Sequence, residues 1–247
     1  MKKITYIAFV LFIFQSCQKG PCITNSGSDI TERRELNADI QNIYLHDNLN
    51  LEIYFDSANF LEVIAGSNVI DKIITEVSGN NLTIRNENSC AQFRGFDQNQ
   101  IVRLHISDLR VLNYDGFGDI TMMDTLKNHP VSFVFKSEGG GGDVNLKVNR
   151  DTRLECVDTF SKIKLSNGNL APVLSISVDG TAWIHAENFS ARNVYVENKS
   201  TGDCLVNPLI ELSYSIVDIG NIQYRNNPNL SLKKMEHSGK GRLIRMN

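Results

Sequence analysis

Along the second half of the chain, apolar and polar side chains alternate with a period of two. Val131-Ser132-Phe133-Val134-Phe135, Leu174-Ser175-Ile176-Ser177-Val178 and Val194-Tyr195-Val196 show it. Such alternation sends one side chain into a core and the next to solvent on a pleated strand. A longer period is superimposed. A small residue, a polar or large residue and an apolar, mostly branched residue recur together. The instances are Gly118-Asp119-Ile120, Gly142-Asp143-Val144, Ser161-Lys162-Ile163 and Ala182-Trp183-Ile184, then Gly202-Asp203-Cys204, Gly220-Asn221-Ile222 and Gly241-Arg242-Leu243. Their small residues stand 24, 19, 21, 20, 18 and 21 positions apart.

A unit of about twenty residues is too short for a βαβ crossover, which needs roughly 30. Its Val, Ile, Leu, Tyr, Phe and Ser content also disfavours helix. Each unit therefore predicts two or three short strands wound once around an axis, with coils ~4.8 Å apart so that every strand pairs with its counterpart one coil away. The expected fold class is all-β, a parallel β-helix. Gly118, Gly142, Gly202, Gly220 and Gly241 would mark a bend or a close approach between coils, where glycine tolerates positive φ. The apolar residue that follows would be buried, contributing ~1.5–3 kcal/mol per coil, and the polar residue between them would face solvent. An antiparallel sandwich or barrel, with strands every 8–12 residues, is the competing arrangement. A shared core pattern at a doubled interval favours stacking.

Upstream, the segments 40–45, 49–55, 61–64, 82–84, 101–106 and 109–112 read as further strands. Ser67 to Val77 reads as one or two helical turns with Asn68 as the cap, and Ser89 to Gln100 as a polar loop. No Pro- or Gly-rich linker divides residues 31–247, which are expected to form one β domain with a less regular N-terminal cap.

The start of the chain has a different character. Lys2 and Lys3 precede an apolar run from Ile4 to Phe14 broken only by Thr5. Eleven residues are too few to span a bilayer, which needs ~20, but they suit a secretory signal. Ser16-Cys17 at its end resembles a bacterial lipobox, with Phe14 where Leu is usual. Residues 1–16 are thus expected to be a signal peptide and 17–30 a tether lipidated at Cys17; a plain signal peptide with an incidental cysteine is the competing reading. Its removal leaves 247 − 16 = 231 residues, and 25 − 2 = 23 basic against 28 acidic, a net charge of −5. With no basic block, nucleic-acid binding is poorly supported, and membrane attachment would rest on the lipid at the outer membrane, on either its periplasmic or its surface side.

Four cysteines remain besides Cys17. Cys156 and Cys204 lie in strand patterns, where a free thiol behaves as a small buried hydrophobe. Cys22 and Cys90 lie in polar, irregular surroundings and are expected to pair. That disulfide would close 67 intervening residues and contribute ~4 kcal/mol in the chain-entropy model.

Several stretches resemble one family. They are Glu32-Arg33-Arg34-Glu35-Leu36, Ile43 through Phe55, Leu61-Glu62-Val63, Ile73 to Val77 and Asn80 to Asn88. The Gly-Asp-Ile corners, Gly220-Asn221-Ile222-Gln223-Tyr224, Asn227-Pro228 and Ser238-Gly239-Lys240-Gly241 belong with them. Together they are similar to the autotransporter adhesin head domain, or head GIN domain, common in lipoproteins of Bacteroidota. The resemblance spans about 31–245 and implies a right-handed β-helix, export to the envelope and no catalytic residues to transfer.

Motifs for chemistry are sparse. The Gly139–Gly142 tract is followed by a strand pattern rather than the Lys-Ser/Thr and helix of a phosphate loop. Asp119, Asp143 and Asp203 would form a column able to recruit a cation if the coils align; solvated turn carboxylates are the plainer alternative. The five histidines show no zinc spacing, and no nucleophile elbow occurs. No cofactor is implied. Trp183, Tyr195, Tyr214 and Tyr224 are the candidates for a face that stacks on sugar rings, against a plainer role in core packing. The function expected is a lipid-anchored envelope binding protein, adhesin-like, with a glycan or envelope partner and no catalysis. A polysaccharide lyase or hydrolase on the same scaffold, or a structural spacer, are the alternatives.

Overall fold

The computed structural model describes residues 25–88, 100–136 and 141–246. Cys17, Cys22, Cys90, Gly139 and Gly140 lie outside the described residues. The cap comprises β1 (Asp29–Glu35), β2 (Asn42–Asn48), β3 (Asn50–Phe55), β4 (Phe60–Gly66), β5 (Ile73–Ser78), β6 (Asn81–Asn86) and β7 (Ile101–Ile106). Then follow β8 (Val111–Phe117), β9 (Ile120–Met122), β10 (Val131–Lys136), β11 (Asp143–Lys147), β12 (Thr152–Thr159) and β13 (Lys162–Ser166). The chain closes with β14 (Ala171–Gly180), β15 (Trp183–Ser200), β16 (Cys204–Ile216), β17 (Ile222–Arg225), β18 (Ser231–His237) and β19 (Leu243–Met246).

These strands form a β-solenoid of about six turns with two broad faces. On the first face, parallel neighbours run β6–β2–β8–β10–β12–β14 and on through the second halves of β15 and β16 to β18. On the second, β7–β3–β9–β11–β13 continue through the first halves of β15 and β16 to β17 and β19. The long strands β15 and β16 pass from one face to the other. Register shifts between Ala186 and Ser190, and between Ala191 and Asn193, mark that corner.

Alternation decides which side chains meet inside. Leu82, Ile43, Leu112, Phe133, Leu154, Ile176 and Val196 stand one above another on the first face. Ile120, Val144, Ile163, Ile184, Cys204 and Ile222 do so on the second. All are buried.

The twenty-residue period is a physical column. A β-carbon on Gly142 would lie 2.0 Å from the carbonyl oxygen of Gly118; on Gly202, 2.0 Å from that of Ala182; on Gly220, 2.1 Å from that of Gly202; on Gly241, 2.1 Å from that of Gly220. Close approach between coils explains the glycines. Positive φ contributes at Gly118 alone among these five (φ 141°). Several polar residues in this column do more than face solvent: Asn50 Oδ1 accepts the Asp119 N–H at 2.8 Å, and Asp119 Oδ1 accepts that of Asp143 at 2.8 Å. Asp203 Oδ1 accepts the Asn221 N–H at 2.8 Å, and Asn221 Oδ1 that of Arg242 at 2.9 Å.

The cap holds the antiparallel pairing that the solenoid lacks. β4 runs antiparallel to β7 and β1 antiparallel to β4, closing the second face. β5 forms a hairpin with β6 and closes the first face. Antiparallel strands thus satisfy the outer N–H and C=O groups of β7 and β6 and end both faces on β1 and β5, which a further parallel coil would not match in direction. The expected helical turns between Ser67 and Val77 shrink to one 3-10 turn, Ile70–Lys72, with no side-chain cap. Asn68 instead donates its Nδ2 to the Asn25 carbonyl at 3.0 Å, and its backbone N–H to that of Ser26 at 2.9 Å. Ser67 to Val69 form a turn, and from Ile73 the segment is β5, because pairing with β6 outweighs a weak local preference for helix.

Candidate binding surfaces

Register settles where the four aromatic candidates point. Trp183 faces outward on the second face, beside Lys162 on one neighbouring strand and level with the Asp203 coil on the other. Tyr195 faces outward on the first face, between Ser175 and Ser213. They are 48% and 45% exposed. Tyr214 stacks over Val196 in an inward position and packs against the core, and Tyr224 is part of the core. A single stacking face of all four is therefore not formed. Tyr195 pairs with Ser213, so the next residue, Tyr214, takes the opposite side of the pleat.

Around Tyr195 lies a shallow trough of about 240 Å³ floored by Ser175, Ser177, Ser213 and Ser215 and flanked by Arg153 and Met235. The Ser177 hydroxyl donates to Glu197 at 3.2 Å and that of Ser213 to Glu211 at 2.8 Å. Small hydroxyl residues keep this stretch low, so that the Tyr195 ring stands above its floor.

The second face carries a cleft of about 360 Å³ lined by Lys162, Lys164, His185, Glu187, Asn145 and Asn188, among others. His185 Nδ1 lies 3.6 Å from Glu187 Oε1, while Glu187 Oε2 is closed off from solvent with no hydrogen-bond partner among the described groups. At its border Lys147 donates Nζ to the Met123 carbonyl at 3.0 Å, dividing this cleft from one of about 390 Å³ around Asp124, Lys127 and Phe55.

The acidic column does not assemble as a metal site. Asp119 and Asp143 are neighbours, but Lys162 and Trp183 occupy the next two levels before Asp203. Asp203 also accepts from Asn221 Nδ2 at 3.0 Å and, through Oδ2, from Gln223 Nε2 at 2.9 Å. Among the described residues no group of three His, Cys, Asp or Glu side chains is placed to hold a metal. Cys156 and Cys204 are buried and free, and burial pushes both thiols well above the ordinary range.

One arrangement was invisible in the sequence. The Arg33 guanidinium sits 3.6 Å from the centre of the Phe60 ring, Phe60 stacks on His105 at 4.4 Å, and His105 stacks on Tyr54 at 4.6 Å. Asp56 Oδ2 meets His105 Nδ1 at 2.7 Å. The hydrogen bond from His105 is the main cause holding the Asp56 carboxyl below its ordinary value. Tyr54 and His105 are partners in the parallel β3–β7 pair, while Phe60 and Arg33 arrive through the antiparallel strands β4 and β1, so no local spacing announces the group.

The fold is a β-solenoid presenting polar troughs from stacked parallel strands, and the comparisons agree with it. The chain belongs to the family described as "Putative auto-transporter adhesin, head GIN domain", whose model matches residues 39–228. It is similar to a solved structure from Bacteroides fragilis described as a putative adhesin, at 17% identity and a TM-score of 0.73, with 89% of this chain and 97% of that one covered. A Parabacteroides distasonis structure described as a putative lipid binding protein aligns with a TM-score of 0.63 at 17% identity, covering 90% of this chain and 98% of the other. A putative adhesin from Parabacteroides merdae gives 0.60 at 16% identity, covering 90% and 98%. At such identities the likeness shows the fold. No match was found among curated proteins. Among the described residues, no helix is long and apolar enough to cross a membrane.

Proposed function

We propose that this protein is a lipid-anchored binding protein of the cell envelope, adhesin-like, which presents its solenoid surface to a glycan or an envelope partner without catalysis. The observation that carries this reading is the pair of outward aromatic rings, Tyr195 and Trp183, each beside a polar trough on a face stiffened by stacked strands. A large ring on rigid backbone offers contact area at little conformational cost on binding. Membership of an adhesin-named family and likeness to adhesin-named structures support it. Lipidation at Cys17 and a Cys22–Cys90 disulfide complete the proposal: the lipid holds residues 31–247 at the outer membrane, and the disulfide clips the tether to the cap.

A glycan array probed with the purified chain, alongside Tyr195→Ala and Trp183→Ala, tests the binding. Selective signal that either substitution removes supports the reading. Release of reducing or unsaturated sugar ends would replace it with the enzymatic alternative. No retention of any glycan or envelope component would leave the structural spacer. Labelling with a lipid precursor, abolished by Cys17→Ala, tests the anchor, and protease treatment of intact cells reports the side of the membrane.

A further inference from the structure

We propose that the second-face cleft between Lys164 and His185, with Trp183 at its border, is a subsite for a carboxylate-bearing sugar, a uronic acid within an acidic oligosaccharide. This rests on the binding function proposed above and names its ligand class. The chain as a whole is slightly acidic, 25 basic against 28 acidic residues, yet this patch reverses the sign. Lys162 and Lys164 form no ion pair among the described residues, and Lys147 borders the same space. Parallel pairing sets Lys164 directly beside His185 and Lys162 beside Trp183, with strands ~4.8 Å apart. Lys162 and Lys164 stand two residues apart on the same side of β13, and like charges set so close are unfavourable without a counter-charge. The Glu187 carboxylate faces His185 instead, at 3.6 Å. A bound carboxylate would supply the counter-charge that the two lysines lack.

The remaining lining fits a sugar rather than a bare anion. Asn145 and Asn188 bring amides, each both donor and acceptor, as vicinal ring hydroxyls require. The exposed Trp183 ring stands two residues before His185 on the same side of β15, roughly 7 Å along the strand. That distance lets one pyranose lie on the indole while its neighbour reaches Lys164. The volume, about 360 Å³, lies in the ~300–1,000 Å³ range of small-molecule clefts. The Tyr195 trough is lined by serines with one Arg and one Glu and offers no such excess of charge.

Calorimetric titration of the full chain in detergent with hexagalacturonate, its methyl ester and dextran sulfate decides the matter. The acid should bind at least tenfold more tightly than the neutral ester. Lys164→Gln and Trp183→Ala should each weaken it tenfold or more, Lys164→Arg should largely retain it, and Lys72→Gln, at an exposed lysine in the cap away from both faces' clefts, should leave it unchanged. Melting curves matching the parent confirm that the exposed substitutions leave the fold intact. Equal binding of ester and acid, equal competition by dextran sulfate, or indifference to both cleft substitutions overturns the proposal. Neutral glycans captured through Tyr195 with no binding of hexagalacturonate would overturn this subsite while sparing the broader reading; no glycan or envelope binding by any chain would overturn both.

Discussion

Gly142 lies so close beneath Gly118 that a β-carbon on it would fall 2.0 Å from the Gly118 carbonyl oxygen. Neither partner is a flexible side chain that can step aside, so Gly142→Ala must push two coils apart. A loss of about 1–3 kcal/mol, the usual range for overpacking, is expected in denaturant unfolding. Gly168→Ala is the matched control. The nearest atom to its added carbon is Asn149 Oδ1 at 3.9 Å, and reduced freedom of the unfolded chain should leave stability unchanged or raised by up to ~1 kcal/mol.

Asn198 is fully buried and donates Nδ2 to the Gly202 carbonyl at 3.0 Å and to that of Asn221 at 3.3 Å. Its Oδ1 accepts the Ser200 N–H at 3.0 Å and the Ser200 hydroxyl at 2.7 Å. Tyr114 and His237 hold the same register position on other coils and reach the carbonyls of Gly118 and Gly241 at 3.0 and 2.9 Å. Asn198→Leu keeps the volume and strands these groups, a loss of roughly 3 kcal/mol. Asn198→Asp should be worse, since it turns a carboxylate towards two carbonyl oxygens. Tyr114→Phe, losing one bond, should cost about 1 kcal/mol. Thermal unfolding of the three variants gives the order.

Asp56 sets an acid dependence. Its carboxyl titrates lower in the folded state than in the unfolded chain, so the folded state binds fewer protons. The stabilisation is complete above the unfolded value of ~3.9 and is lost as pH falls through the folded value. The carboxyl side is 44% exposed, which limits the effect to under about 1 kcal/mol. His105→Phe keeps a ring between Phe60 and Tyr54 and removes the hydrogen bond. Its stability curve should run flatter than the parent's on the acid side; an unchanged slope would reject this assignment.

Cys156 and Cys204 should resist chemistry in the native state. Only a thiolate attacks an alkylating agent, and burial disfavours that form at both positions. Iodoacetamide at mildly alkaline pH should leave their peptides unmodified until denaturant is added, as read by mass spectrometry. Rapid native labelling of either peptide would contradict the burial.

The solenoid was legible because stacking makes one position on every coil face the same neighbour. Close approach therefore repeats as Gly118, Gly142, Gly202, Gly220 and Gly241, and core parity repeats as Ile120, Val144, Ile163 and Ile184. A less regular N-terminal cap was legible, but its pairing was not, since β1, β4 and β7 meet through antiparallel partners far apart in the chain, as Asp29 with Gly66. Aromatic parity failed at Tyr214 because the coil repeats there after 18 residues, so that Tyr195 pairs with Ser213 and Tyr214, one position on, turns from solvent to core. The Asp column failed because Lys162 and Trp183 fill the levels between its members. His105 could not be placed beside Asp56 from spacing alone.

Parallel stacking of this kind is a template for its own extension, since the final strand of each face offers its backbone to another chain. On the second face that strand is β19, only four residues long, and on the first it is β18, where the offer is poorly formed. A register irregularity at Met235, opposite Tyr214 and Ser215, interrupts the pairing, and Lys233 and Lys234 place two ammonium groups on the exposed edge. A kinked, charged terminal strand is a poor seed for edge-to-edge growth. About six turns of regular β structure thus carry at β18 a local safeguard against fibre growth that the turns beneath it, each covered by the next, have no need of.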